Sequence, residues 1–185
     1  MLDPGQATRR STLEARVLEI EALVKTILID GEKLNALDYT NLIAANAWVI
    51  DLRDHSGGKL YAFLDMIYPL LPHGRLSGVR DNQGLELFNW VTPEGIGIGS
   101  KDHVQKLRAV QGAAISSSIP INTPVAVLLN KNTARTGEFL TLLLKERPNT
   151  QIIGEPSNGL LSANAPQTLS NGDILVLPTA RAIDN

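Results

Sequence analysis

The sequence predicts an α/β protein, and three features favour that class. Short apolar runs of strand length alternate along the chain with longer segments of helical periodicity. Hydrophobic residues make up 43% and charged residues 19%, which is typical of a globular domain rather than a disordered chain. The length of 185 residues suits one domain that buries its own core. Strand–helix–strand alternation further favours parallel pairing of strands.

The N-terminal part is predicted to contain two helices. Ser11–Glu14 has the pattern of a capping box, and apolar residues then recur at helical spacing as far as Leu28. The density of Ile and Val also permits a strand over residues 16–20 or 25–29, and the pattern leaves this alternative open. A second helix is predicted over Ala36–Ala47. We expect residues 1–12 to be flexible and residues 13–185 to form a single domain.

The remainder alternates between the two kinds of element. Short β-branched runs predict strands at Trp48–Leu52, Leu76–Arg80, Leu85–Val91, Pro124–Leu129, Gln151–Ile153 and Asp173–Leu177. Helical spacing of apolar residues predicts helices at Lys59–Leu71 and Thr133–Lys145. The turn residues 81–84 join the second and third of these strands into a hairpin.

Residues 92–119 carry no clear pattern, and their one notable motif is Gly95–Gly99. Its glycines alternate with isoleucines and lack the G-x-G-x-x-G spacing of a phosphate-binding turn. We therefore expect a flexible loop here.

Composition excludes several classes of function. The formal charge is −2, from 17 basic and 19 acidic residues, which argues against binding nucleic acid or a membrane surface electrostatically. Cysteine is absent, which removes disulfides, thiolate metal sites and a cysteine nucleophile. No apolar run reaches the ~18 residues of a membrane span, and the start lacks the layout of a signal peptide. With only three scattered histidines, a His-rich metal site is not expected, and no motif of the sequence predicts a metal or a cofactor.

The end of the first predicted buried strand carries charged and polar residues. Asp51 and Arg53 flank Leu52, so strand alternation directs both to one face, where we expect a structural ion pair. His55 follows beside the pair Gly57 and Gly58, in a loop that in α/β folds faces a cleft. A lone histidine is nevertheless more often a surface or capping residue than a base or ligand.

The run from strand 124–129 into helix 133–145 is the strongest chemical signal. A residue at such a helix start meets free N–H groups and the positive end of the helix dipole, which can stabilise an oxyanion or activate a nucleophile. Thr133 can also be an ordinary helix cap, which would account for this pattern without a reactive site, and the sequence alone favours that explanation.

Four segments in order resemble the tail-specific, or C-terminal processing, serine peptidases. Residues 49–58 are similar to the signature IIDLR-x-N-x-GG, and residues 133–138 (TARTGE) to the nucleophile segment TASSGE or TASAAE. Residues 152–160 and 169–173 are similar to the later motifs xxGEPTxGL and LSDGxxL. Order and spacing agree across residues 48–181, and the details resemble the bacterial branch that includes the nisin-resistance proteases.

The resemblance implies a mixed, twisted sheet flanked by helices, related to the crotonase and Clp-protease core. It also implies hydrolysis of amide bonds near the C-termini of proteins or peptides. The third residue of the nucleophile segment would be the attacking serine, with Gly57 and Gly58 helping to form the oxyanion hole. Glu138 would belong to the supporting network. Members are usually exported or membrane-anchored, so the missing signal peptide leaves the location open.

This sequence departs from the family at the decisive positions. Arg135 stands where the serine is expected, and a permanently charged guanidinium does not attack a carbonyl. Leu160 aligns with the lysine base of many members, and His55 takes the position of an asparagine. Thr136 is the one hydroxyl that could replace the serine, but the rotation of about 100° per helical residue is expected to point it elsewhere.

Three hypotheses follow. The chain is a member of the peptidase family with impaired or no activity, in which any catalysis depends on Thr136 and Glu138. Alternatively, it is a pseudo-peptidase that binds the C-terminus of a peptide or protein through Arg135, Gly57 and Gly58. An acyl-CoA enzyme on the related fold is a third option, against which the motifs argue. The short chain is expected to be a core truncated at both ends, and its oligomeric state is not predicted.

Overall fold

The computed structural model describes residues 24–28, 45–110 and 119–185 and places them in two sheets and two helices. The strands are β1 (Val24–Leu28), β2 (Ala47–Asp51), β3 (Gly74–Asp81), β4 (Glu86–Thr92), β5 (Gly95–Gly99), β6 (Val104–Ala109), β7 (Val125–Leu129), β8 (Thr150–Gly154), β9 (Ser162–Thr168) and β10 (Ile174–Ile183). The helices are α1 (Leu60–Ile67), which continues into a 3-10 turn at Tyr68–Leu70, and α2 (Thr136–Lys145).

The first sheet is parallel and has the strand order β1-β2-β7-β8. Trp48 of β2 lies opposite Val125 of β7, which in turn lies opposite Thr150 of β8. Parallel neighbours require crossover connections, and α2 lies in the connection from β7 to β8. The predicted parallel pairing is therefore confirmed for this sheet.

The second sheet is antiparallel and has the order β6-β5-β4-β3-β10-β9. Its β3–β4 hairpin confirms the sequence prediction, because the carboxylate of Asp81 accepts hydrogen bonds from the backbone N–H groups of Gln83 and Leu85 within the turn. With one parallel and one antiparallel sheet, the fold is the mixed α/β arrangement that was expected.

The prediction of a helix from residue 13 to Leu28 is wrong for the C-terminal end of that segment. Residues Val24–Leu28 form β1, which pairs in parallel with β2 from Ala47 to Asp51. The strand alternative for residues 25–29 is thus the better one, because pairing with a distant strand overrides the local helical spacing. Ala47 likewise belongs to β2 and not to a helix. The other residues of the two predicted N-terminal helices lie outside the described ranges, apart from Ala45 and Asn46.

The glycine-rich motif forms strand β5 instead of the predicted flexible loop. A Cβ at Gly97 would lie 2.6 Å from the carbonyl oxygen of Lys106, and one at Gly95 would lie 2.0 Å from that of Arg108. The backbone of β6 occupies the space that side chains would need, so alternate glycines permit the close approach of the two strands. Strands β6 and β9 were not predicted at all.

A single hydrophobic core joins both sheets and both helices. Helix α1 contributes Phe63, Leu64 and Ile67, and α2 contributes Leu140, Leu143 and Leu144. Buried residues of the first sheet, among them Trp48, Ile50, Val125 and Val127, pack into the same cluster as Leu76, Val91 and Ile96 of the second. This core fixes the ends of β2 and β7, from which the candidate site is built.

Candidate active site

The turn between β7 and α2 holds Arg135 in a backbone conformation that side chains rarely adopt. Its φ is +52° and its ψ is −112°, and it is the residue directly before the first turn of α2. On one side of it, the N–H of Ala134 donates to the carbonyl of His55 at 2.9 Å. The hydroxyl of Thr133 donates to the carbonyl of Leu52 at 2.8 Å. These bonds join the nucleophile segment to the loop after β2.

The carboxylate of Glu138 organises the other side of the turn. It is buried and accepts hydrogen bonds from the N–H groups of Arg135 (2.8 Å), Gly159 (2.6 Å) and Leu160 (2.9 Å). The hydroxyl of Ser157 donates to it as well, at 2.7 Å. One charged group therefore ties the start of α2 to the loop 157–160, which lies some twenty residues further along the chain.

The glycine pair lies between Arg135 and the first helix. Gly57 and Gly58 have φ values of +134° and +140°, where L side chains are strained. A Cβ at Gly57 would lie 3.3 Å from Cδ of Arg135, and a Cβ at Gly58 would lie 2.8 Å from Cε2 of Phe63. Both glycines are thus needed for backbone conformation, and Gly58 also for space.

The side chain of Arg135 is exposed and extends along this glycine loop. Its Cβ, Cγ and Cδ all lie within 4 Å of the position of a Cβ on Gly57, and its Nη1 donates to the carbonyl of Ser56 at 3.3 Å. The aliphatic stem covers the loop in which the family resemblance places an oxyanion hole. Among the residues that the structure describes, Ser56 is the one hydrogen-bond partner of the guanidinium, so its other N–H groups can bind an anion.

Thr136 lies closer to the glycine loop than the helical rotation suggested. Its hydroxyl donates to the carbonyl of Gly58 at 2.9 Å, so the prediction that it points elsewhere is wrong. The hydroxyl proton of Thr136 therefore points to the carbonyl of Gly58. Within the described ranges, the structure gives Thr136 Oγ1 no hydrogen bond to a basic side chain. Its role as a nucleophile stays a prediction.

A groove of about 390 Å³ opens beside the turn. Its walls are mostly apolar, and Leu160, at the position of the family's lysine, is one of them. The groove is bordered by Gly58, Leu60, Val79, Arg135, Thr136, Phe139, Leu160, Leu161, Ser162, Ala163, Asn164 and Ala182. The structure therefore brings the glycine pair, Arg135 and Thr136 together at one cavity, with Glu138 behind them.

The predicted ion pair between Asp51 and Arg53 is present. Nη2 of Arg53 lies 2.6 Å from Oδ2 of Asp51, and Nε lies 2.9 Å from Oδ1. Hydrogen bonds from Arg53 hold the pKa of Asp51 below its ordinary value of 3.8. The pair closes the end of β2, and neither residue borders the groove.

The sequence did not predict a second link between the loop after β2 and the turn after β7. The carboxylate of Asp54 accepts hydrogen bonds from the side-chain amides of Asn132 (2.8 Å) and Asn130 (2.9 Å). These bonds lower the pKa of Asp54. The only signal for this link was the Asn-Lys-Asn run at the end of β7, because the partners are 76 and 78 residues apart.

His55 is buried, so of the two ordinary roles expected for a lone histidine, surface or capping, the surface role is wrong. Its side chain is 2% exposed and packs edge-on against the ring of Phe63, with 4.6 Å between centroids. It also lies beneath the first turn of α2, because a Cβ on Gly137 would be 3.0 Å from its Nδ1. His55 therefore supports the turn and does not border the groove.

Comparison with known proteins assigns the family. The model of peptidase family S41 matches residues 30–185, and the chain belongs to that family. The nisin-resistance protein of Lactococcus lactis subsp. lactis is 29% identical over 175 residues, covering 88% of this chain and 51% of that protein. The chloroplastic carboxyl-terminal-processing peptidase 2 of Arabidopsis thaliana is 29% identical over 136 residues, covering 74% of this chain and 22% of that protein. The resemblance seen in the motifs is confirmed.

Solved structures confirm the fold. The photosystem II D1 C-terminal processing protease superimposes with a TM-score of 0.61 at 21% identity, covering 87% of this chain and 38% of that one. A lipoprotein from Streptococcus agalactiae gives a TM-score of 0.59 at 20% identity, covering 87% and 56%. The chain spans about half the length of the nisin-resistance protein and less than a quarter of the plant peptidase. No helix in the described ranges is long and apolar enough to cross a membrane.

Proposed function

We propose that this S41 family member binds peptides by their C-terminal carboxylate and hydrolyses them poorly or not at all. One observation carries the proposal: Arg135, which stands where the family resemblance expects the serine, has a φ of +52° directly before the first turn of α2. A guanidinium stays protonated and supplies no nucleophile, and Leu160 supplies no base.

The retained backbone supports binding as the surviving function. A non-glycine residue in this region of φ and ψ costs about 1–3 kcal/mol, which the surrounding contacts must offset. The hydrogen bonds of Glu138 to both sides of the turn provide such contacts. Such strain clusters at functional sites, which supports a ligand-binding role for a turn whose nucleophile is absent.

The chemistry of the groove favours a peptide carboxylate as the ligand. Arginine binds carboxylates through two parallel hydrogen bonds, and the N-terminus of the ten-residue helix α2 adds a favourable dipole. The apolar walls at Val79, Phe139 and Leu160 suit aliphatic side chains next to that terminus. The family assignment also favours a peptide over an acyl-CoA ligand.

Calorimetry with matched peptides tests this proposal. A peptide with apolar residues and a free C-terminus should bind about tenfold or more tightly than its amidated form. Arg135→Ala should abolish that difference, whereas Lys131→Ala, which removes the same charge from an exposed neighbouring position, should preserve it. Equal affinities of the two peptides for the native chain would contradict the proposal.

Residual hydrolysis through Thr136 is the second candidate, favoured by its hydroxyl beside Gly58 at the edge of the groove. Mass spectrometry of the same peptides measures turnover. If Thr136 is the nucleophile, Thr136→Ala abolishes cleavage and Thr136→Ser retains it. Unchanged turnover in Thr136→Ala eliminates this candidate, and efficient turnover by the native chain overturns the proposal of a binding protein.

A further inference from the structure

Strand β9 forms one end of the antiparallel sheet. It pairs with β10 along one side, and no strand in the described part of the chain pairs with its other side. Such an edge presents unpaired N–H and C=O groups that can accept another strand.

The hydrogen bonds of β9 show which of its residues face the open side. The carbonyl of Leu161 accepts from the N–H of Ala182 at 3.1 Å, and that of Ala163 accepts from the hydroxyl of Thr179 at 3.3 Å. Residues 161 and 163 therefore direct their main chain towards β10. Because alternate residues of a strand direct these groups to opposite sides, Ser162 and Asn164 direct theirs towards the open edge.

Pro166 lies two residues after Asn164, so by the same alternation its main-chain nitrogen faces the open edge. Proline has no N–H to donate, so within sheets it is found where that position faces away from the ladder. Thr168 continues the open edge to the end of β9. The edge therefore offers three N–H groups, at Ser162, Asn164 and Thr168.

The open edge of β9 begins at the groove. Five consecutive residues, 160–164, border the cavity that also contacts Arg135 and Thr136. Leu160 and Leu161 precede the strand, and Ser162, Ala163 and Asn164 are its first three residues, so the cavity reaches the N-terminal end of β9. The groove therefore leads from Arg135 to the end of β9 at which its open edge begins.

We propose that the peptide whose carboxylate binds at Arg135 continues as an added strand, antiparallel to β9. This inference rests on the proposed function. Strand β9 runs away from the groove, from Ser162 towards Thr168, and the peptide's C-terminus lies at the Ser162 end. The two chains consequently run in opposite directions, and main-chain hydrogen bonds provide affinity that depends little on the peptide sequence.

Exposed apolar side chains lie on both faces of the pair formed by β9 and β10. Leu177 pairs with Ala165 and Leu175 pairs with Gln167, on the same face as Ala163 at the groove, and both leucines are more than 40% exposed. The opposite face carries Ser162, Asn164 and Thr168 on β9, and Ile174 and Val176 on β10, which are 67% and 60% exposed. A peptide with apolar side chains at every second position can therefore pack them against either face of the two strands.

Backbone methylation of the ligand tests this pairing. The probe is a labelled octapeptide of alternating leucine and serine with a free C-terminus, prepared as a series with one N-methylated amide each. Because a methyl group removes a donor, affinity should fall about tenfold at every second amide and stay nearly unchanged at the others. A uniform or absent effect overturns the pairing.

Amide hydrogen exchange gives a second measurement on the chain itself. Peptide binding should slow exchange at Ser162, Asn164 and Thr168 and leave Ala163 unchanged, because its main chain already faces β10. Ser162→Pro should weaken binding about tenfold, and Ser162→Ala, which keeps the N–H, should leave it within about twofold. If Ser162→Pro does not fold, the methylated series still decides.

The two proposals fail in different ways. A preference for the free acid without the alternating effect of methylation overturns the added strand and leaves the carboxylate site in place. If methylation lowers the affinity at every second amide but the free acid binds no better than the amide, the added strand is supported and the role of Arg135 is overturned. If neither form of the octapeptide binds, both proposals are wrong.

Discussion

Oε1 of Glu138 accepts a hydrogen bond from the backbone N–H of Gly159, at 2.6 Å. The same carboxylate accepts from Arg135, so a single buried side chain determines the distance between the nucleophile segment and the loop that borders the groove. The hydrogen bonds of Glu138 therefore connect the strained turn to the loop that leads into β9 at Ser162.

Glu138→Gln should destabilise the fold by about 2 kcal/mol, because hydrogen bonds to a charged group become hydrogen bonds to a neutral amide in a buried site. It should also weaken peptide binding, since the loop 157–160 loses its anchor. Urea unfolding and calorimetry measure the two effects. Glu155→Gln makes the same change at an exposed position and should alter stability by no more than about 0.5 kcal/mol. Equal losses for both variants would contradict the prediction.

Asp51 should contribute stability that depends on pH. Arg53 lowers the pKa of Asp51 in the folded chain, so the contribution is present above the unfolded value near 3.8 and is lost as the pH falls through the lowered pKa. Asp51→Asn should therefore cost most at pH 7 and progressively less below about pH 4. Urea unfolding across this range tests the slope. Asp102→Asn, at an exposed position, is the control, and a pH-independent cost of Asp51→Asn would refute the linkage.

Gly58→Ala should destabilise more than Gly74→Ala. Both glycines have strongly positive φ, at +140° and +120°, which costs an alanine about 1 kcal/mol. A Cβ on Gly58 additionally meets Phe63 at 2.8 Å, whereas nothing lies within 4 Å of a Cβ on Gly74. Thermal unfolding should show an extra loss of about 1–2 kcal/mol for Gly58→Ala. Equal losses would show that packing at Phe63 contributes nothing.

Arg147→Lys should cost about 2 kcal/mol or more. Arg147 is 2% exposed, and burial lowers its pKa. Its guanidinium donates to the carbonyls of Thr123, Pro120 and Pro148. A lysine ammonium lacks the planar fork that reaches all three. Arg80→Lys, at an exposed ion pair with Glu86, is the control and should change urea stability by less than about 1 kcal/mol. A loss of that small size for Arg147→Lys would contradict the structure.

Peptidase activity should return only when nucleophile and base are both supplied. Arg135→Ser alone places a hydroxyl on the strained turn without a base, so cleavage should stay low. Adding Leu160→Lys should raise turnover about 100-fold, the lower end of what a general base contributes. Leu161→Lys, also at the groove, is the matched control for the added charge. Turnover by the native chain equal to that of the double variant would refute the proposed loss of activity.

Features that depend on neighbouring residues were predictable from the sequence. The Asp51–Arg53 pair spans two residues, and the β3–β4 hairpin follows from turn residues that Asp81 caps locally. Strand β1 was not predictable in this way, because its conformation depends on pairing with β2, which lies more than twenty residues away. The same holds for β5, whose alternating glycines have meaning only beside the backbone of β6.

The sequence by itself determined the family, most of the strands and the presence of Arg135 where the resemblance expects a serine, since these depend on residue identity, local periodicity and the spacing of motifs. The tertiary structure alone decided that Arg135 lies along Gly57, that Thr136 contacts Gly58 and that Glu138 reaches Gly159. It also decided that the N-terminal end of the edge strand β9 borders the groove. These relationships join residues roughly 20 to 80 positions apart, and only the packing of both sheets on one core brings them together.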